Sequence, residues 1–219
     1  MYNYEISNNH IIVNIQNQKF LLDTGSPVSF SFKPPISLLN IDGTHYSLIP
    51  YGIPNAHKVF ALIGKEVDGF IGLDIISKTS LTIYKDGRID FKVTSITGHS
   101  CALDTNFPLR IPAKCGNYEG YYVIDTGAMV GYGLPHLFNG LTPYVQNVYD
   151  YNPGLGDLYN DLYHLDVEIN GNKKTIDVFH NKQVERHLYG TNSLMIGPIH
   201  PFFDEVCVID MDSRVLITR

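Results

Sequence analysis

The chain has 219 residues and a net charge of −6, from 16 Lys and Arg against 22 Asp and Glu. At 44% hydrophobic and 17% charged residues it can build a core, which excludes a disordered chain. No apolar run approaches the about 18 residues of a membrane-spanning helix, and no basic cluster exists to neutralise phosphates, so membrane and nucleic-acid partners are both set aside.

In chain order, a first strand is predicted over residues 11–15 (IIVNI), then a turn at Asn17-Gln18 and a second strand over 19–23 (KFLLD) that runs into Asp23-Thr24-Gly25. Asp42-Gly43 marks a hairpin within LNIDGTHYSLIP. Phe70-Ile71-Gly72 is an apolar pair before a glycine, with one short helical turn after it. The strand at 80–84 (SLTIY) and the Asp86-Gly87 turn follow. Beyond residue 98 the strand at 121–125 (YYVID) runs into Asp125-Thr126-Gly127, and a short helical turn is expected after Gly133. Strands at 164–169 (HLDVEI) and 174–179 (KTIDVF) flank Asn170-Gly171. Met195-Ile196-Gly197, a strand at 205–210 (EVCVID) and a turn at Asp212-Ser213 complete the chain. Strand periodicity dominates and helical periodicity is scarce, so the expected class is all-β.

The same landmarks occur twice in the same order: apolar residues leading into Asp-Thr-Gly, a hairpin turn, an apolar pair before Gly, and a final strand pair with a turn. Asp-Thr-Gly is expected by chance on the order of 0.04 times in a chain of this size and ordinary composition. A carboxylate at the end of a buried strand, followed by Thr and Gly, sits on a tight turn in which Gly lets a backbone N–H approach the carboxylate. Two such turns brought together by a pseudo-twofold axis place two carboxylates side by side. Like charges that close cannot both ionise, so they share a proton. One member is then a base for water and the other, protonated, polarises a carbonyl.

The paired motif resembles that of the aspartic proteases of the pepsin and retropepsin superfamily, and the likeness covers roughly residues 8–93 and 107–218. The chain is shorter than pepsin-like enzymes and, unlike retropepsins, carries both motifs itself. The resemblance implies a two-lobe, pepsin-like acid protease fold with retropepsin-sized lobes, residues 1–98 and 99–219, related by pseudo-twofold symmetry. It implies an aspartic endopeptidase in which Asp23 and Asp125 are catalytic. Thr24, Gly25, Ser26, Thr126, Gly127 and Ala128 then support the two loops, while Gly72 and Gly197 belong to psi-shaped motifs behind them. The Ser26 hydroxyl is expected to bond the outer oxygen of Asp23; Ala128 offers no such bond to Asp125. Asp74 is expected to bond a neighbouring segment. The implied partner is an extended peptide or protein substrate, with no cofactor and no metal, and the chain is expected to act as a monomer.

From Asp to the psi glycine the second half is longer than the first by 23 residues, and the surplus lies before Asn170-Gly171. Residues 146–164 are therefore the expected flap, with Pro153, Gly154 and Gly156 at its tip and Tyr149 or Tyr151 closing over substrate. A second class of function stays open, a catalytically silent peptide-binding or scaffold protein with the same fold; retention of both carboxylates favours the hydrolase.

Other signals are weaker. Gly98-His99-Ser100-Cys101-Ala102 lacks the strand-before, helix-after setting of a nucleophile elbow, and Cys101 beside His99 is read as an ordinary cysteine in a connection between lobes. The nine histidines show no paired metal spacing. Cys101, Cys115 and Cys207 form no even disulfide framework, no Asn-x-Ser/Thr acceptor exists, and the N-terminus lacks a secretory pattern. The expected location is cytoplasmic.

Overall fold

The computed structural model describes residues 1–32, 38–50 and 56–219. Strands β1 (Tyr2–Ser7), β2 (His10–Ile15) and β3 (Gln18–Leu22) form an antiparallel meander. Its two turns place Asn8, Asn9, Gln16 and Asn17 at positive φ, the backbone that two-residue hairpin loops require. β2 is buried on both faces. Ile11, Val13 and Ile15 enter the central core, while Ile12 joins a second cluster with Leu21, Phe30, Val59, Ile63 and Phe70. Then come β4 (Phe30–Ser31), the hairpin β5 (Leu38–Ile41) and β6 (Thr44–Ser47), β7 (Ile49–Pro50), α1 (Ala56–Ile63), β8 (Gly69–Ile71), α2 (Leu73–Thr79), β9 (Leu81–Tyr84) and β10 (Arg88–Asp90).

The remainder comprises β11 (His99–Ala102), β12 (Arg110–Cys115), β13 (Tyr118–Ile124), β14 (Gly131–Gly133), β15 (Val145–Asn152), β16 (Gly156–Ile169), β17 (Asn172–His180), α3 (Lys182–Gly190), β18 (Met195–Gly197), β19 (Val206–Asp210) and β20 (Val215–Thr218). β8 runs parallel to β3 and antiparallel to β4; β18 repeats this with β13 and β14. The strands β12-β13-β18-β14-β17-β16 close into a six-stranded barrel, because β16 also pairs with β12.

One sheet joins the two halves of the chain. Its order is β11-β20-β19-β9-β10-β1-β2-β3-β8-β4-β7, and the halves meet where β9 and β19 pair antiparallel. Counted outward from that pair, the first half supplies β9, β10, β1 and the strands beyond, and the second supplies β19, β20 and β11. The two halves share a single central core cluster. The residues 99–102, expected to be a connection, are thus an edge strand on β20.

The all-β expectation holds for the bulk of the chain, which is 49% strand and 15% helix. Two helices were not foreseen. α1 buries only Val59 and Ile63, a pair four apart on one face. α3 is mostly polar and buries Leu188; its start is marked by Asn181, whose side chain accepts a hydrogen bond from the N–H of Gln183. Neither stripe is wide enough to stand out against strand alternation. The turns expected after Gly72 and Gly133 are α2 and a short 3-10 turn over Pro135–Phe138. Among the described residues no helix is long and apolar enough to cross a membrane.

Candidate active site

The last residues of β3 and β13 are buried on both faces, and each strand delivers its chain directly into an Asp. The N–H of Asp23 donates to Ile71 O (2.9 Å) and that of Asp125 to Gly197 O (2.8 Å), so β8 and β18 each anchor one carboxylate. Asp23 Oδ1 accepts from the N–H groups of Gly25 and Ser26, both at 3.0 Å, and Asp125 Oδ1 accepts from the N–H of Gly127 at 2.9 Å.

The two loops are bonded reciprocally through their threonines, which are fully buried. Thr24 Oγ1 donates to Ile124 O (2.8 Å) and accepts from the N–H of Thr126 (3.0 Å). Thr126 Oγ1 donates to Leu22 O (2.7 Å) and accepts from the N–H of Thr24 (3.1 Å). Gly25 and Gly127 face the opposite carboxylates: a Cβ on Gly25 would stand 2.5 Å from Asp125 Cγ, and one on Gly127 would stand 2.5 Å from Asp23 Cγ. No side chain fits at either position. The absence of a Cβ is what lets the two carboxylates meet.

Electrostatics follow from that proximity. Burial raises the pKa of Asp23 well above the usual carboxylate range, and the Asp125 charge adds to it against the opposing N–H groups of Gly25 and Ser26. Burial likewise raises Asp125, opposed first by the N–H of Gly127. Within the pair, the Asp125 side chain raises Asp23 further while the Asp23 side chain pulls Asp125 down, so the two carboxyls titrate jointly.

Behind the loops, Gly72 and Gly197 occupy matched positions. A Cβ on Gly72 would lie 2.5 Å from Val28 O, and one on Gly197 would lie 2.6 Å from the Tyr122 hydroxyl and 2.8 Å from Gly131 Cα. Asp74 accepts from the Ser29 hydroxyl, which itself accepts from the N–H of Gly72 at 2.8 Å. It therefore bonds a neighbouring segment, as expected. The Ser26 hydroxyl does not bond Asp23. It donates to Val28 O at 2.8 Å, and the bond from Ser26 to the carboxylate comes from its N–H instead. Ala128 leaves the second loop without that tether.

The expected flap segment lies in the β15–β16 hairpin, whose tip is residues 153–155. In the repeat, β5–β6 around Asp42-Gly43 matches β16–β17 around Asn170-Gly171, so β15 lies in the surplus before the shared hairpin. The β15–β16 hairpin bonds both halves. Asp150 accepts from the Tyr132 hydroxyl, which burial keeps protonated, and Asp157 makes an ion pair with Lys58 of α1 (2.6 Å). The Tyr149 hydroxyl donates to Asp157 at 2.9 Å, and Tyr151 packs against the first-half cluster that contains Ile12, Phe30, Val59 and Phe70, with Lys58 Nζ over its ring.

Sequence reasoning missed Lys58, Asp157 and the Ser7–His10 turn, since each acts on chain distant in sequence. The asparagine pair at 8–9 was the available turn signal. Cys101 lies in β11 with its thiol pushed up to about 11 by burial, which makes it a poor nucleophile.

The chain matches no protein-family model and no curated protein sequence.

Proposed function

We propose that the protein is an aspartic endopeptidase with a two-lobe, pepsin-like architecture, its substrate lying as an extended strand between the halves. The observation that carries this reading is the mutual approach of Asp23 and Asp125 over glycines that no other residue could replace. The ionised member of the pair takes a proton from water as the water oxygen attacks the peptide carbonyl carbon. The protonated member gives its proton to the carbonyl oxygen, forming a neutral diol. Collapse of the diol re-forms the carbonyl, breaks the C–N bond and sends a proton to the leaving nitrogen. The reciprocal threonine bonds hold the two oxygen-bearing groups in place, so little reorganisation accompanies the charge movement. Extended substrate would pair its backbone with strand edges and alternate its side chains between pockets.

Incubation with a denatured protein between about pH 3 and 7, with and without a statine-type inhibitor, tests the proposal. Inhibitable cleavage is expected, and Asp23→Asn or Asp125→Asn should each retain no more than a few per cent of it while folding normally. Full activity in either variant would overturn the assignment, and an inert parent would leave peptide binding without hydrolysis.

A further inference from the structure

The two catalytic loops are tethered differently. In the first, the Ser26 hydroxyl closes the loop on its own Val28 carbonyl. The second has Ala128, and its outer carbonyl is held instead from the other half of the molecule: Asn9 Nδ2 donates to Met129 O at 3.0 Å, across 120 residues of sequence. His10, only 5% exposed, follows it in the chain with Nδ1 3.2 Å from Ser7 O, a contact inside the turn. The turn that carries both residues is itself braced. Ser7 Oγ donates to Ile63 O (2.6 Å) and Asn8 Nδ2 to Leu62 O (2.7 Å), two carbonyls at the end of α1 that the helix leaves without internal partners.

We propose that Asn9 is a positioning residue for Asp125, holding its loop from the first half of the chain in place of the tether that Ala128 lacks. The inference rests on the carboxylate pair proposed above. Gly127 is the residue whose backbone meets the Asp23 carboxyl, so a shift of its loop changes the spacing of the pair directly. Reactive geometry is steep: a misplacement of about 1 Å can cost about a hundredfold in rate.

The turn itself supplies a clean test. Asn9 and Asn8 both have positive φ, 66° and 46°, so glycine at either position relieves the backbone and removes one side-chain amide. In Asn9→Gly the loop loses its tether, whereas in Asn8→Gly only the α1 side is released. Carbon-13 NMR titration of the Asp23 and Asp125 carboxyls should show shifted apparent pKa values in Asn9→Gly and parental values in Asn8→Gly. On a peptide substrate, kcat of Asn9→Gly should fall about tenfold with KM nearly unchanged. Parental carboxyl titration in folded Asn9→Gly would overturn the proposal, as would an equal disturbance in Asn8→Gly. Because the titration needs no turnover, it decides the positioning role even if the parent cleaves nothing, an outcome that would overturn only the peptidase reading.

Discussion

At the scale of single residues, the carboxylate pair should make stability depend on pH in a specific direction. Asp23 and Asp125 both have folded-state pKa values raised above 3.8, chiefly by burial. Such groups bind protons more tightly folded than unfolded, so their stabilising contribution is complete below the unfolded value and is lost as pH rises through the folded ones. Asp23→Asn keeps an oxygen for the N–H groups of Gly25 and Ser26 and removes one ionisation. Its melting temperature should therefore match or fall slightly below the parent near pH 3 and exceed it at pH 7. Each tenfold rise in proton affinity is worth about 1.4 kcal/mol, and about 1 kcal/mol moves the melting temperature by about 2–4 °C in this size class. A parent that melts higher than Asp23→Asn at pH 7 would contradict a raised pair.

At the scale of elements, the β15–β16 hairpin spans both halves. It contacts the first half through the packing of Tyr151 on its apolar cluster and through an ion pair whose members are 30% and 45% exposed, the latter a contact that solvent weakens. Its other anchors, Leu158 at 1% exposure and the Asp150–Tyr132 bond, are internal to the second half. Removal of the whole 150–158 segment would therefore damage the fold as well as the flap. Replacement of residues 152–156 by Asn-Gly keeps both anchors and shortens only the tip, with a turn that suits a two-residue loop. On the proposed function, this variant should lose about tenfold or more in kcat/KM while its melting temperature changes by no more than a few degrees. Parental kcat/KM in the shortened protein would show that the hairpin is not a substrate cover.

The whole molecule is organised by the central sheet. β9 and β19 pair along four register positions, and the main core draws residues from both halves. The loops bearing Asp23 and Asp125 are further joined by four buried threonine hydrogen bonds. One chain thus holds both members of the pair, and activity per chain should stay constant over several decades of dilution. Loss on dilution that follows a monomer–dimer equilibrium would mean that a second copy completes the site.

Much of the repeated half-site was legible in the residues themselves because its signals are local. Apolar strands ending in Asp-Thr-Gly, and turns such as Asp42-Gly43 and Asn170-Gly171 at positive φ, follow from backbone sterics within a few residues. Gly72 and Gly197 could be placed for a related reason: the repeat itself marked them, and backbone crowding at both accounts for the missing side chain. Tertiary structure alone decided the rest. α1 and α3 have narrow apolar stripes, and packing stabilises them more than propensity does. The Ser26 hydroxyl had two carbonyl or carboxylate partners within reach, and the loop geometry selected Val28. Asn9 meets the second Asp-Thr-Gly loop across about half the chain, a contact that no local pattern encodes because it exists only once the shared sheet has brought the two halves together.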